Sequence, residues 1–303
     1  MNANDYLSSL AGKQIAVCGI GKNNLPVIRQ LLGYGAKVTA CDRRSRAELG
    51  STADELAAAG VTLKLGDGYL AELDADLILR TPGMKPYLPE FEDARRRGIP
   101  VTSEMELFFD LCPAPVYAVT GSDGKTTTTT VIAGLLERAG KRVFLGGNIG
   151  RPLLPLVTEI TAEDVAVVEL SSFQLMTIDV SPHIAVMTNL APNHLDVHRD
   201  KDEYVASKAN IFCHQQPGDI AVFNLDNNIT RGLGGECASQ VRWFSRREEP
   251  AEGVFLRGES IICRRSGQER EVLRTTDIKI PGVHNVENYM AAIAAVDGLV
   301  PDE

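Results

Sequence analysis

Apolar residues fall in two patterns that alternate along the chain. Short apolar runs occur at 15–18 (IAVC) and 38–41 (VTAC), and 61–65, 76–79 and 100–102 supply three more strand candidates. Between them, apolar residues recur every three to four positions at Leu25–Leu32, Ala53–Ala59 and Phe91–Arg97. A run of four or five is strand length and the longer spacing is helical, so residues 12–112 predict strands alternating with helices in a parallel α/β sheet. A helix over Glu104–Leu111 then meets Cys112-Pro-Ala-Pro115, and two prolines in four residues stop it. This is the expected boundary between a domain at 1–112 and another at 113–303.

The second series has apolar runs at Val116–Val119, Val143–Leu145, Val165–Leu170, Ile184–Thr188 and Ile220–Phe223. Residues 240–281 change character, with short alternating stretches (VRWFS, GVFLR, SIICRR) that predict a small antiparallel sheet. A last helix over Asn285–Val296 is followed by Gly298 and Pro301, which read as the lead into a further domain. The chain is therefore expected to be part of a longer one.

Composition narrows the classes. With 303 residues, 44% hydrophobic and 23% charged, the chain is an ordinary globular one large enough for two cores. No apolar run approaches the roughly 18–20 residues that cross a bilayer, and the N-terminus lacks the basic-then-apolar pattern of a signal peptide. The six cysteines are scattered without a C-x-x-C pair, as in a reduced, cytoplasmic protein. A net charge of −9 argues against a nucleic-acid partner, and leaves any anionic ligand to local donors.

Local donors are present. The stretch "TGSDGKT", 120–126, follows an apolar run and opens a helix running through Arg138. Glycines there let successive N–H groups and the helix N-terminus point at phosphate oxygens, while Lys125 reaches the β/γ-phosphates and the Thr126 hydroxyl a Mg²⁺ ion. Val119 stands where the longer Walker pattern has glycine, so the match is to the shorter form T-G-x-x-G-K-T. A glycine-rich turn beside a solvated lysine is the plainer alternative. Thr126–Thr130 is an odd helix start, since β-branched residues are mediocre helix formers; hydroxyls near a helix N-terminus can satisfy orphan donors or reach phosphates.

The first glycine loop, "CGIGKNN" (18–24), has G-x-G after a strand but no third glycine. Asp42 ends the next strand, where a ribose-binding acid belongs in a dinucleotide fold. Two more residues stand at consecutive strand ends, Glu169 in "VVELSSFQL" and His194 in "NLAPNHLDVH", and Lys208 in "SKANIF" lies in a helical segment shortly after. Each alone also reads as a cap, a turn or a solvated lysine. Together beside a phosphate loop, the acid and the histidine make a Mg²⁺ shell. His194 and His198 lack the glutamate of a zinc H-E-x-x-H motif, and no G-x-S-x-G elbow surrounds Ser171 or Ser172. The fold class expected is α/β: a Rossmann-like parallel-sheet domain, then a P-loop ATPase-like α/β domain with a small antiparallel sheet.

With "AVTGSDGKTTTTT", "LGGNIGRPLL", "ELSSFQL", "NLAPNHLDVH", "SKANIF" and "PGVHNVENYMAA" in this order, and "ILRTPGM" in the first domain, the chain resembles the Mur ligases of peptidoglycan synthesis. "ELSSFQL" with "GGNIG" resembles the branch that adds D-glutamate. The resemblance implies a cytoplasmic, monomeric, three-domain enzyme of cell-wall biogenesis that uses ATP and two Mg²⁺ ions. It joins D-glutamate to UDP-N-acetylmuramoyl-L-alanine through an acyl phosphate, in the service of cell shape and division. Lys125, Glu169, His194 and Lys208 would be catalytic, with Thr126, Glu169, His194 and a CO₂-carbamylated Lys208 as metal ligands. Gly121, Ser122, Asp123, Gly124, Lys125, Thr126, Thr127, Asn285 and Asn288 would bind ATP. Gly21, Lys22, Asn23, Asn24, Asp42, Arg44, Thr81, Pro82, Gly83, Asn148 and Ser171 would bind the UDP-linked substrate. The third, amino-acid-binding domain lies outside these 303 residues, so this chain alone is expected not to turn over. A sister or folylpolyglutamate-type ligase, a nicotinamide oxidoreductase and a non-catalytic nucleotide-binding module are the rival readings.

Overall fold

In a computed structural model, which describes residues 1–191 and 200–299, the chain forms two compact units. Unit 1 comprises Met1–Pro113 with Arg151–Ile160, and unit 2 comprises Ala114–Gly150 with Thr161–Glu303. The excursion departs from the single expected cut at 112/113. Leu153, Leu154 and Val157 are buried there, and the Glu104 carboxylate accepts from the amides of Leu153 and Leu154, both at 2.9 Å. Burial raises the pKa of Glu104, and those two amide bonds oppose the rise.

Unit 1 holds five strands: β1 (Gln14–Cys18), β2 (Lys37–Asp42), β3 (Thr62–Leu65), β4 (Leu77–Arg80) and β5 (Val101–Ser103). All pair in parallel in the order β3-β2-β1-β4-β5. The short apolar runs are strands because both sheet faces are covered; Ile15, Val17, Ile78 and Leu79 are all buried. The chain turns outward to either side of β1, so the β1/β4 boundary is a topological switch point.

Unit 2 contains β6 (Val116–Thr120), β7 (Val143–Gly147), β8 (Val165–Glu169), β9 (Ile184–Met187), β10 (Ile220–Asn224), β11 (Gln240–Ser245), β12 (Gly253–Arg257), β13 (Ser260–Arg265) and β14 (Gln268–Arg274). They form one sheet in the order β14-β13-β12-β11-β10-β9-β6-β8-β7. The alternating segment 240–281 extends this sheet rather than standing apart. Its first strand, β11, pairs in parallel with β10 and β12, and only β12-β13-β14 run antiparallel. Period-two patterning reports a half-exposed strand whatever its direction, which explains the difference.

Helices Lys125–Arg138 and Val283–Val296 share one core beneath this sheet, with Ile132, Leu136, Met290 and Ile293 packed against Val119, Val167 and Val222. Side chains of that size contribute about 1.5–3 kcal/mol each when buried. The core fixes where the helix after β6 begins. Among the described residues, no helix is long and apolar enough to cross a membrane.

Candidate active site

β6, β8 and β9 are adjacent, and their carboxyl ends open on the second switch point. From β6 the chain passes through Gly121 to Gly124, whose φ of +80° turns it into the helix starting at Lys125. Side chains cannot replace these glycines. A Cβ on Gly124 would meet Asn288 Oδ1 at 2.2 Å, and one on Gly121 would meet Thr188 Oγ1 at 1.9 Å. The loop is thus pressed between the last helix and the end of β9.

Further bonds hold it. Thr188 Oγ1 donates to the Asp123 carbonyl at 2.6 Å, and the Ser122 and Asp123 amides donate to Asn189 O and Oδ1 at 2.9 and 3.1 Å. The Ser122 and Tyr204 hydroxyls lie 2.9 Å apart. Lys125 Nζ donates to the carbonyls of Gly121 and Ser122 at 3.1 and 2.9 Å. Thr127 is half-buried beside it.

Glu169 ends β8 and is buried, yet both carboxylate oxygens are engaged. Thr126 Oγ1 donates to Oε2 at 2.7 Å, and Asn148 Nδ2 to Oε1 at 2.8 Å. Lys208 is also buried, with Nζ donating to Gly121 O at 2.9 Å and Thr120 Oγ1 at 3.3 Å, and lying 5.0 Å from the centre of the Tyr204 ring. Desolvation, reinforced by the charge of Lys125 and opposed by Glu169, lowers its pKa to about 7.

The structure therefore brings Lys125, Thr126, Asn148, Glu169 and Lys208 around one loop. Asn285 and Asn288 lie on its other side: Asn288 Nδ2 donates to Asn285 Oδ1 at 3.1 Å, and Thr128 Oγ1 to Asn288 Oδ1 at 3.4 Å. The rest of the threonine run serves the helix, since Thr129 and Thr130 donate back to the carbonyls of Lys125 and Thr126, both at 2.8 Å. Ser171 caps the helix Ser172–Leu175 in a reciprocal arrangement with Gln174. His194, with Asn193, Asp196 and His198, lies outside the described residues.

Thr188, Asn189 and Tyr204 escape a reading of the sequence. Thr188 and Asn189 follow an apolar run, and that position is itself a signal. Tyr204 carries none beyond its one-turn spacing from Lys208. Among the described residues, no group of three His, Cys, Asp or Glu side chains gathers to hold a metal. The Thr126 hydroxyl and Glu169 carboxylate are hard oxygen donors of the kind Mg²⁺ takes, whereas Lys208 as an ammonium cannot ligate.

In unit 1, Gly19, Gly21, Lys22 and Asn23 form the loop after β1. Asn24 is buried and donates to the Gly19 carbonyl at 2.9 Å. Asp42 accepts from the Ile20 amide at 2.7 Å and from Arg44 Nε and Nη2 at 2.9 and 2.8 Å. Burial works against the Asp42 charge, but Arg44 and the amides of Arg44 and Ile20 bring its pKa down to about 2. Thr81, Pro82 and Gly83 form the turn after β4, facing that loop across the switch point: a Cβ on Gly19 would lie 2.8 Å from Thr81 Cγ2.

Comparison with known families specifies the class to which this α/β unit, with its lysine-bearing glycine loop, strand-end carboxylate and buried lysine, belongs. Residues 119–296 match the Mur ligase middle domain, and residues 13–103 the Mur ligase MurD-like N-terminal domain. The chain belongs to the Mur ligase family. It is 51% identical over 286 residues to the UDP-N-acetylmuramoylalanine–D-glutamate ligase of Symbiobacterium thermophilum, covering 93% of this chain and 63% of that protein. It is 48% identical over 294 residues to the enzyme of the same name from Acetivibrio thermocellus, covering 97% and 63%. The chain thus spans somewhat under two thirds of the length of these relatives. The fold is shared with a UDP-N-acetylmuramate:L-alanyl-gamma-D-glutamyl-meso-diaminopimelate ligase from Neisseria meningitides, with a TM-score of 0.63 and 20% identity over 96% of this chain and 95% of that one. It is also shared with a UDP-N-acetylmuramate-alanine ligase from Thermotoga maritima, with a TM-score of 0.56 and 21% identity over 95% and 65%.

Proposed function

We propose that the chain is the substrate- and ATP-binding part of a cytoplasmic, monomeric ligase that joins D-glutamate to UDP-N-acetylmuramoyl-L-alanine. Unit 1 binds the UDP end through Gly21, Lys22, Asn23, Asn24, Asp42, Arg44 and the Thr81–Gly83 turn. Unit 2 binds ATP through residues 121–127, Asn285 and Asn288. The observation that carries this reading is the Thr126–Glu169 contact at 2.7 Å, directly beside Lys125 at the N-terminus of a helix.

In the reaction, a substrate carboxylate oxygen takes the γ-phosphoryl group of ATP, releasing ADP and forming an acyl phosphate. The amine of D-glutamate attacks the acyl carbon, inorganic phosphate leaves, and the nitrogen gives up a proton as the amide forms. Two anions must meet for the first step. Lys125 and the amides at the start of its helix offset that charge while orienting the triphosphate. Thr126 and Glu169 would hold a first Mg²⁺; His194 and Lys208 a second. The ions would neutralise phosphate charge. Asn148 keeps Glu169 turned toward Thr126, and Asn148 and Ser171 would contact the muropeptide end.

A lysine with a pKa near 7 has free amine at neutral pH, which supports carbamylation: the amine adds CO₂ and releases a proton, turning a cation into an oxygen ligand. The test is product analysis with the longer protein, supplied with ATP, UDP-N-acetylmuramoyl-L-alanine and single amino acids. ADP and one new amide with D-glutamate alone are expected; amide formation with another amino acid overturns the reading. The 303-residue chain is expected to bind both nucleotides without turnover.

A further inference from the structure

Arg80, the last residue of β4, is 1% exposed, a rare burial for a guanidinium. It pairs in register with Cys18 of β1 and Ser103 of β5, so it stands in the middle of the sheet at its ligand-binding edge. Burial lowers its pKa, and the neighbouring charges of Glu106 and Arg95 act in opposite directions. Desolvating this charge is expensive, and a buried methionine of similar length would pack there at less cost. The contacts explain its presence.

Arg80 Nη1 donates to the carbonyl of Met84 at 3.1 Å, and Nη2 lies 4.0 Å from the Glu106 carboxylate. Glu106 belongs to the helix Glu104–Leu111, whose cap is Ser103. The guanidinium therefore ties the turn after β4 to the helix after β5. That turn, with the residues beyond it (TPGMKPYLP), contains three prolines and makes few backbone bonds of its own. Thr81 N donates to Cys18 O at 2.9 Å and Met84 N to Thr81 O at 3.0 Å. A second guanidinium, the less buried Arg95, holds the Pro86 carbonyl at 2.7 Å.

We infer that Arg80 is a positioning residue for the uridine diphosphate end of the substrate: it sets the Thr81–Pro82–Gly83 turn at the height where, against Gly19, it closes one wall of the nucleotide cleft. The inference rests on the proposed binding of the UDP-linked substrate by unit 1. At 1% exposure the Arg80 guanidinium is closed off from a bound nucleotide. It acts through the Met84 carbonyl.

The experiment measures UDP binding by calorimetry and amide hydrogen exchange at Thr81 and Met84, in the wild-type chain and in Arg80→Met, Arg80→Lys and Arg95→Met. Loss of the buried donor is expected to raise the UDP dissociation constant about tenfold in Arg80→Met, with faster exchange at Thr81 and Met84. ATP binding in unit 2 stays unchanged. Arg80→Lys keeps the charge without the fork and is expected to fall between the two, and Arg95→Met to change binding less than either. UDP binding within twofold of wild type, with exchange at both amides unaltered in Arg80→Met, overturns the inference. If that variant does not fold, the same result in Arg80→Lys overturns it. If wild type itself fails to bind UDP, the substrate reading of unit 1 falls, while the exchange comparison still decides whether Arg80 sets the turn.

Discussion

The two glycine loops share a plan and differ in how charge is placed on it. Both follow a central parallel strand, open a helix and lie at a switch point in their own sheet. The loop after β6 carries cations at its rim: Lys125 on the loop carbonyls and Lys208 beneath them, opposite the Glu169 carboxylate. The loop after β1 is latched by an anion, Asp42, which holds the Ile20 amide and is itself held by Arg44. Under the proposed function, the first arrangement would receive a polyphosphate whose charge must be neutralised for chemistry, and the second would hold a nucleotide that does not react. A few side chains at its edges thus give the same strand–loop–helix unit opposite charge settings.

The largest effect expected from breaking this contrast is at Lys125. Lys125→Met removes the cation from the loop after β6, and ATP affinity is expected to fall on the order of a hundredfold, with UDP affinity unchanged; calorimetry with each nucleotide distinguishes the two. Next comes Gly124→Ala. A φ of +80° and a 2.2 Å approach to Asn288 Oδ1 leave no room for a methyl group. A loss of about 2–3 kcal/mol in urea unfolding is expected, together with weakened ATP binding.

Asp42→Asn tests the anionic latch. A carboxyl depressed to about 2 stabilises the fold fully above its unfolded value of about 3.9, and that stabilisation disappears as pH falls through about 2. The stability difference between wild type and Asp42→Asn is therefore expected to be level above pH about 4 and to shrink toward pH about 2. Its size is on the order of 1–2 kcal/mol, reduced because Arg44 is partly open to solvent. The smallest effect belongs to Gly21→Ala. Its φ is not positive and nothing stands within 4 Å of an added Cβ, so stability is expected to stay within about 0.5 kcal/mol. A large loss there would mean that the first loop is as tightly enclosed as the second.

Most strand positions were legible because the central strands of both sheets, such as β1, β4, β6, β8, β9 and β10, are buried on two faces and appear as apolar runs. The strand–loop–helix turn at 120–126 was legible because glycines, lysine and threonine sit together in seven residues. The β11 direction was not, since alternation is the same in parallel and antiparallel strands. Nor was the return of Arg151–Ile160 to unit 1, which depends on Glu104 meeting two amides far along the chain.

By itself, the sequence determined the alternation of strands and helices, the loop of residues 120–126 and the family to which the chain belongs, all of which follow from near neighbours in the chain. Folding in three dimensions was needed for Thr126 to meet Glu169, for Asn148 to turn that carboxylate, for Lys208 to lie buried against the loop and for Arg80 to reach the Met84 carbonyl. These depend on strand order, which brings distant residues to one sheet edge and removes them from water, where a charge or hydrogen bond gains its strength.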